Sequence, residues 1–146
     1  ACESGAALAD ASEDQISALR DYGDALGIAF QMVDDLLDYS GTEAMGKSLG
    51  DDFRGRKMSL PVIRAVAAAN ADERAFWERT IGKGKQANGD LDRALEIMRR
   101  HGVLDATRDT ALEWAGVAKA ALAPLRDDPL REMLSDLAGF VVARIS

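Results

Sequence analysis

Apolar and small residues recur at Ile16, Leu19, Gly23, Leu26, Phe30, Val33 and Leu37, in alternating steps of three and four. That period predicts one long helix with a single buried stripe. Immediately ahead of it, Ser12-Glu13-Asp14-Gln15 reads as a capping box with acid in the first turn. The helix is expected to end near Tyr39-Ser40-Gly41. Gly23 and Gly27 lie inside it at a cost of about 1 kcal/mol each relative to alanine, which points to the close approach of a neighbour.

From Gly41 to Lys57 the pattern dissolves into a polar stretch punctuated by Gly46, Gly50 and Gly55. It reads as a loop with room for a short helical turn. Ser59 as a cap and Pro61 in the first turn predict a helix through Val62, Ile63 and Val66 to about Asn70. Further helices are expected over 72–81 with Phe76 and Trp77, from Asp90 to a stop at Gly102, over 104–122, and over 130–145. The last repeats apolar residues at Met133, Leu134, Leu137, Phe140, Val141 and Ile145. His101, with Arg99 and Arg100, is expected to serve a helix C-terminus. No stretch alternates with a strand's period, so the chain reads as all-α. Its opening, ACESGAALAD, looks like the last turns of a helix already under way, and the sequence is expected to be part of a longer protein.

Composition narrows this picture. The 146 residues are 47% hydrophobic and 29% charged, which excludes a disordered chain, and only 5% aromatic, which favours packed helices. The net charge of −7 argues against a general nucleic-acid or anionic-membrane surface. One cysteine and one histidine exclude an intrachain disulfide, a Cys-based zinc site and a His-rich metal cage. No apolar run approaches the roughly 20 residues that span a bilayer.

Asp34, Asp35 and Asp38 form a DD-x-x-D cluster on the long helix, with Gln31 one turn earlier. At about 100° per residue, Asp34 and Asp38 fall within about 40° of each other. A solvated acidic face is the bland alternative. Against it, carboxylates on one helix face repel each other, and a divalent cation relieves that repulsion. Hard oxygen ligands in an open row suit Mg²⁺, which bridges carboxylates to phosphate oxygens. Lys47 and Lys57 in the loop are the candidate phosphate anchors, and Gly46 and Gly50 allow close backbone approach to a phosphate. Gly41-Thr42-Glu43-Ala44-Met45-Gly46-Lys47-Ser48 fits the letters G-x-x-x-x-G-K-[ST], but it follows a helix where a P-loop follows a strand, so it is not read as one.

Gly27-x-x-Phe30-Gln31-x-x-Asp34-Asp35-x-x-Asp38, then Gly46-Lys47-x-x-Gly50-Asp51-Asp52, then Lys57-x-x-Leu60-Pro61 closely resembles the second aspartate-rich region of trans-polyprenyl diphosphate synthases. The run Gly89-Asp90-Leu91 through Met98-Arg99-Arg100-His101-Gly102 resembles the long-chain octaprenyl and decaprenyl members. The resemblance covers residues 1–146 but only the C-terminal half of the family pattern.

It implies the C-terminal portion of an all-α isoprenoid-synthase bundle that joins isopentenyl diphosphate head-to-tail to an allylic prenyl diphosphate. Asp34, Asp35 and Asp38 would hold Mg²⁺ on the allylic diphosphate, with Gln31 beside them. Lys47 and Lys57 would grip that diphosphate, and Phe30 would face the prenyl chain or the developing cation. The resemblance further implies a homodimeric cytoplasmic enzyme with an N-terminal half supplying the rest of the site. The family's first aspartate-rich motif has no match here. Arg54-Gly55-Arg56-Lys57 stands where many relatives read Glu-Gly-Lys, which leaves open whether Arg56 or Lys57 holds the diphosphate. A non-catalytic helical subunit and another class I terpenoid enzyme are the alternatives.

Overall fold

In the computed structural model, which describes residues 1–40 and 49–145, Ser12 and Gln15 cap one another as the sequence predicts. Ser12 N–H donates to Gln15 Oε1 at 3.1 Å, and Gln15 N–H donates to Ser12 Oγ at 3.4 Å. A short helix α1 (Cys2–Leu8) precedes the one they start, α2 (Glu13–Ser40), which has 28 residues. There follow α3 (Asp51–Arg54), α4 (Leu60–Ala68), α5 (Ala71–Trp77), α6 (Asp90–Arg100), α7 (Val103–Ala121) and α8 (Pro129–Ala143). A π-helical turn, Glu78–Gly82, continues α5. The fold is all-α, with no strand among the described residues. None of the described helices is long and apolar enough to cross a membrane.

The stripe that α2 buries is Ala18, Tyr22, Ala25, Ala29, Val33, Leu36 and Tyr39. It runs beside the expected row through Leu19, Leu26, Phe30 and Leu37 and shares only Val33 with it. Bulk explains the shift. Alanines let a packing partner come nearest along their own line, and the leucines then fill its flanks. Gly23 meets the expected close neighbour, since a Cβ there would lie 3.4 Å from Cys2 Cβ. Gly27 has nothing within 4 Å of that point, so the expectation fails for it.

The chain divides into two compact units, Ala1–Val33 with Asp109–Ser146, and Asp34–Arg108. In the first, Tyr22, Ala25, Ala118, Leu122 and Ala138 form the core, and Tyr22 Oη donates to Leu134 O at 2.8 Å. Asp128 caps α8 through the N–H groups of Leu130 and Arg131, at 2.9 and 3.0 Å. Of the apolar row expected on α8, Met133, Leu137 and Phe140 are exposed, while Val141 and Ile145 are buried.

In the second unit, Phe53, Phe76 and Trp77 pack as an aromatic trio, with Phe76 and Trp77 edge to face at 5.1 Å. Around them lie Tyr39, Val62, Ala65, Leu95, Ile97 and Met98. The rim is polar and well paired. Arg79 donates to both oxygens of Asp90 at 2.7 and 2.8 Å and also lies over the Phe76 ring.

Glu73 is the other tie. It completes a capping box with Asn70 at the start of α5 and is 3% exposed. Arg100 donates to its Oε1 at 3.0 Å, and His101 Nε2 stands 2.9 Å from its Oε2. His101 therefore reaches across to α5 rather than only serving its own helix end. The Asn70 N–H and the His101 ring hold the Glu73 carboxyl below its ordinary value of 4.5. A carboxyl depressed on folding contributes stability above its unfolded value and loses it as pH falls through its folded one. Urea midpoints of the wild type should therefore drop more steeply below pH 4.5 than those of Glu73→Gln.

Candidate active site

Asp34, Asp35 and Asp38 stand in the last two turns of α2, and no basic residue lies in its last turn. Negative charge there is opposed by the helix dipole. Asp35 and Asp38 are nevertheless buried, at 6% and 9% exposure, while Asp34 is half-buried. Charges so placed need partners brought from elsewhere in the chain.

Asp38 finds them at the start of α3. Its Oδ1 accepts from Asp51 N–H at 3.1 Å and its Oδ2 from Asp52 N–H at 3.0 Å. Its backbone carbonyl accepts from Gly50 N–H at 2.8 Å. Gly50 is required at this junction. Its φ is +79°, and a Cβ would stand 2.5 Å from Leu91 Cδ1. Burial pushes the Asp38 carboxyl above its ordinary range, outweighing the two N–H groups that favour its charge. Asp38 thus caps α3 from a distance, a role the helical spacing alone did not reveal.

Asp35 finds its partner six residues farther along than Asp51. Lys57 Nζ donates to Asp35 Oδ1 at 2.8 Å and to Asp52 Oδ2 at 3.0 Å. Leu60 N–H reaches Asp35 Oδ2 at 3.4 Å. The hydrogen bond to Asp35 holds the Lys57 ammonium well above the ordinary lysine range. Its side chain is 45% exposed, so it stays within reach of an arriving anion. Arg56 points elsewhere: its Nε donates to Ile81 O at 2.8 Å and its Nη2 to Gly82 O at 2.7 Å. Of the two cations left open by the sequence, Lys57 is the one that meets the aspartates.

Phe30, 50% exposed, and the exposed Gln31 lie one turn before Asp34 and Asp35 on α2. Lys47 and Gly46 lie outside the described residues. Asp52 was missed as a site residue, although its place five residues before Lys57 in a Gly-Asp-Asp block was a usable signal. Ser59 precedes α4 as expected, but its side chain makes no capping bond. Its Oγ and Tyr39 Oη are buried with no hydrogen-bond partner among the described residues. Burial raises the Tyr39 pKa.

Among the described residues, no group of three or more His, Cys, Asp or Glu side chains forms a closed metal site. What the cluster offers is a row of hard oxygens with a half-exposed ammonium beside it. Such a row can share a cation with a ligand's own oxygens, as Mg²⁺ does with phosphates.

A family model described as polyprenyl synthetase matches residues 1–98. A polyprenyl synthase from Roseobacter denitrificans is 55% identical and superposes with a TM-score of 0.93, over 98% of this chain and 46% of its own. A polyprenyl synthase from Caulobacter crescentus CB15, solved with calcium and isoprenyl diphosphate, is 46% identical with a TM-score of 0.89, over 99% of this chain and 44% of its own. Octaprenyl diphosphate synthase of Haemophilus influenzae is 39% identical over 143 residues, 97% of this chain and 43% of that enzyme. The chain thus spans less than half the length of these relatives.

The capping role of Asp38 can be measured directly. Asp38→Ala leaves the N–H groups of Asp51 and Asp52 without an acceptor, at an expected cost of about 1–2 kcal/mol. Urea denaturation should show that loss, and amide exchange at Asp51 and Asp52 should accelerate more than in the α6 core. Unchanged exchange at both positions would contradict the role.

Proposed function

The chain belongs to the polyprenyl synthetase family, and from that premise we propose that it forms the allylic-diphosphate side of a prenyltransferase. In the complete enzyme, isopentenyl diphosphate is added head-to-tail to an allylic prenyl diphosphate, giving a polyprenyl diphosphate of long-chain type. The observation that carries this reading is the Asp35–Lys57–Asp52 cluster beside Asp34, a half-exposed ammonium poised among hard oxygens.

The donor set fits Mg²⁺, which keeps several waters and needs only one or two carboxylates when a phosphate supplies further oxygens. Asp34 and Asp35 would hold it, with Asp38 next to them already engaged in fastening α3. Bound there, the ion supplies positive charge where the leaving diphosphate gathers negative charge. Lys57 does the same from the protein side. Its ammonium is shared between two carboxylates, so a more highly charged diphosphate competes for it effectively. Lys47 is proposed as a second grip and Gln31 as a neighbour of the aspartates. Phe30 exposes its ring one turn before Asp34, where it can flank a prenyl chain or stabilise a developing carbocation. No side-chain nucleophile is needed for ionisation followed by attack of a double bond.

A non-catalytic helical subunit is the competing reading, and kinetics on the complete polypeptide separates the two. Asp34→Ala and Asp35→Ala should each lower kcat on the order of 10²-fold, well beyond their effect on the melting temperature. An unchanged rate in either variant would remove the metal assignment.

Lys57→Ala should lose a comparable factor, on the order of 10²-fold in kcat, because its charge matters most as the C–O bond breaks. Lys57→Arg should recover only part, having the charge without the compact ammonium geometry. Full activity in Lys57→Ala together with both aspartate variants would leave the non-catalytic subunit as the better account.

A further inference from the structure

The π-helical turn at the end of α5 leaves carbonyls without helical donors. Lys83 N–H returns to Glu78 O at 2.8 Å and Lys85 N–H to Arg79 O at 2.9 Å. The Ile81 and Gly82 carbonyls beyond them face outward, as the last carbonyls of any helix do. Arg56 takes both, through Nε at 2.8 Å and Nη2 at 2.7 Å. Gln86 adds a second stitch, its Nε2 donating to Phe53 O at 2.8 Å and Thr80 O at 3.3 Å. Gly84 makes room for the guanidinium: a Cβ there would stand 2.9 Å from Arg56 Nη1.

Arg56 does this from an unfavourable backbone. Its φ is +59°, in the left-handed region where a side chain is strained and glycine is the usual occupant. Two charge-assisted hydrogen bonds offset that strain. The next residue is Lys57, whose N–H donates to Asp52 O at 2.9 Å and whose ammonium meets Asp35 and Asp52. The backbone from which Lys57 reaches the aspartates is therefore pinned on one side by Asp52 and on the other by the Arg56 clip.

We propose that Arg56 is a positioning residue: by clasping the Ile81 and Gly82 carbonyls it sets where the Lys57 ammonium stands, and so tunes the diphosphate grip. The kinetic part of this inference rests on the role proposed for Lys57, while the positional part stands without it. Arg56 touches no substrate in this account. Its influence passes wholly through its neighbour.

A double-variant cycle on the complete polypeptide tests it, using Arg56→Gly, Arg56→Lys, Lys57→Ala and the Arg56→Gly/Lys57→Ala pair. Arg56→Gly keeps the left-handed backbone without strain, so the chain should fold while the clip is lost. Turnover should fall about tenfold, the scale set by a small misplacement of a reacting group. Arg56→Lys should regain part of it. In the Lys57→Ala background, Arg56→Gly should cost nothing further, because the group it positions is gone. Labelling of Lys57 with an amine-acylating reagent, read by mass spectrometry, should rise in Arg56→Gly. Multiplicative losses in the paired variant, or wild-type labelling of Lys57 in Arg56→Gly, would overturn the proposal. Wild-type turnover in Lys57→Ala would instead remove the diphosphate role of Lys57, and the labelling result alone would then decide whether Arg56 sets its position.

Discussion

Two carboxylates buried at the wrong end of a helix organise the chain around the candidate site. Asp35 and Asp38 sit where the dipole of α2 opposes negative charge, and where water is too scarce to solvate it. Each is tolerable only because the segment after α2 folds back to serve it. Asp38 receives the first two N–H groups of α3, and Asp35 receives the Lys57 ammonium and the Leu60 N–H. These contacts define the course of residues 49–60 more tightly than their own weak helical propensity does. A segment rich in glycine and charge would otherwise lack a reason to settle.

Behind those contacts lies a stiff apolar frame. Phe53 anchors α3 in the aromatic trio with Phe76 and Trp77, so the helix that Asp38 caps is also nailed to the core. The start of α5 is fastened to the end of α6 through Glu73, and its far end to Asp90 through Arg79. The buried carboxylates would be costly in isolation; paired on a rigid frame they hold a charged cluster in one arrangement. Departures from ordinary helix placement of charge are concentrated at this cluster, which is where a working site is expected to violate local rules.

Family membership and length together set what this chain can contribute. Relatives more than twice as long match it over nearly all its residues. The set proposed for an allylic diphosphate and its prenyl chain comprises the aspartates, Lys57 and Phe30, and the DD-x-x-D spacing occurs once in the sequence.

Much of this was legible in the residues themselves. The Ser12–Gln15 box, the three-four period of α2, the stop at Gly102 and a last helix beginning near Leu130 are local signals, and local signals survive into the fold. The DD-x-x-D cluster and Lys57 were equally visible, because their spacing is a property of the chain. The buried line of α2 was not, since period reports a face while packing against alanines chooses its centre. Nor could spacing choose between Arg56 and Lys57, adjacent cations of equal charge. Which of them meets the aspartates was decided by a left-handed backbone at Arg56 and by two carbonyls freed in a π turn about 25 residues away. His101 likewise acquired Glu73 as a partner only when distant segments met. Charge and period are written in one dimension, but which donor reaches which acceptor depends on where the backbone carries them.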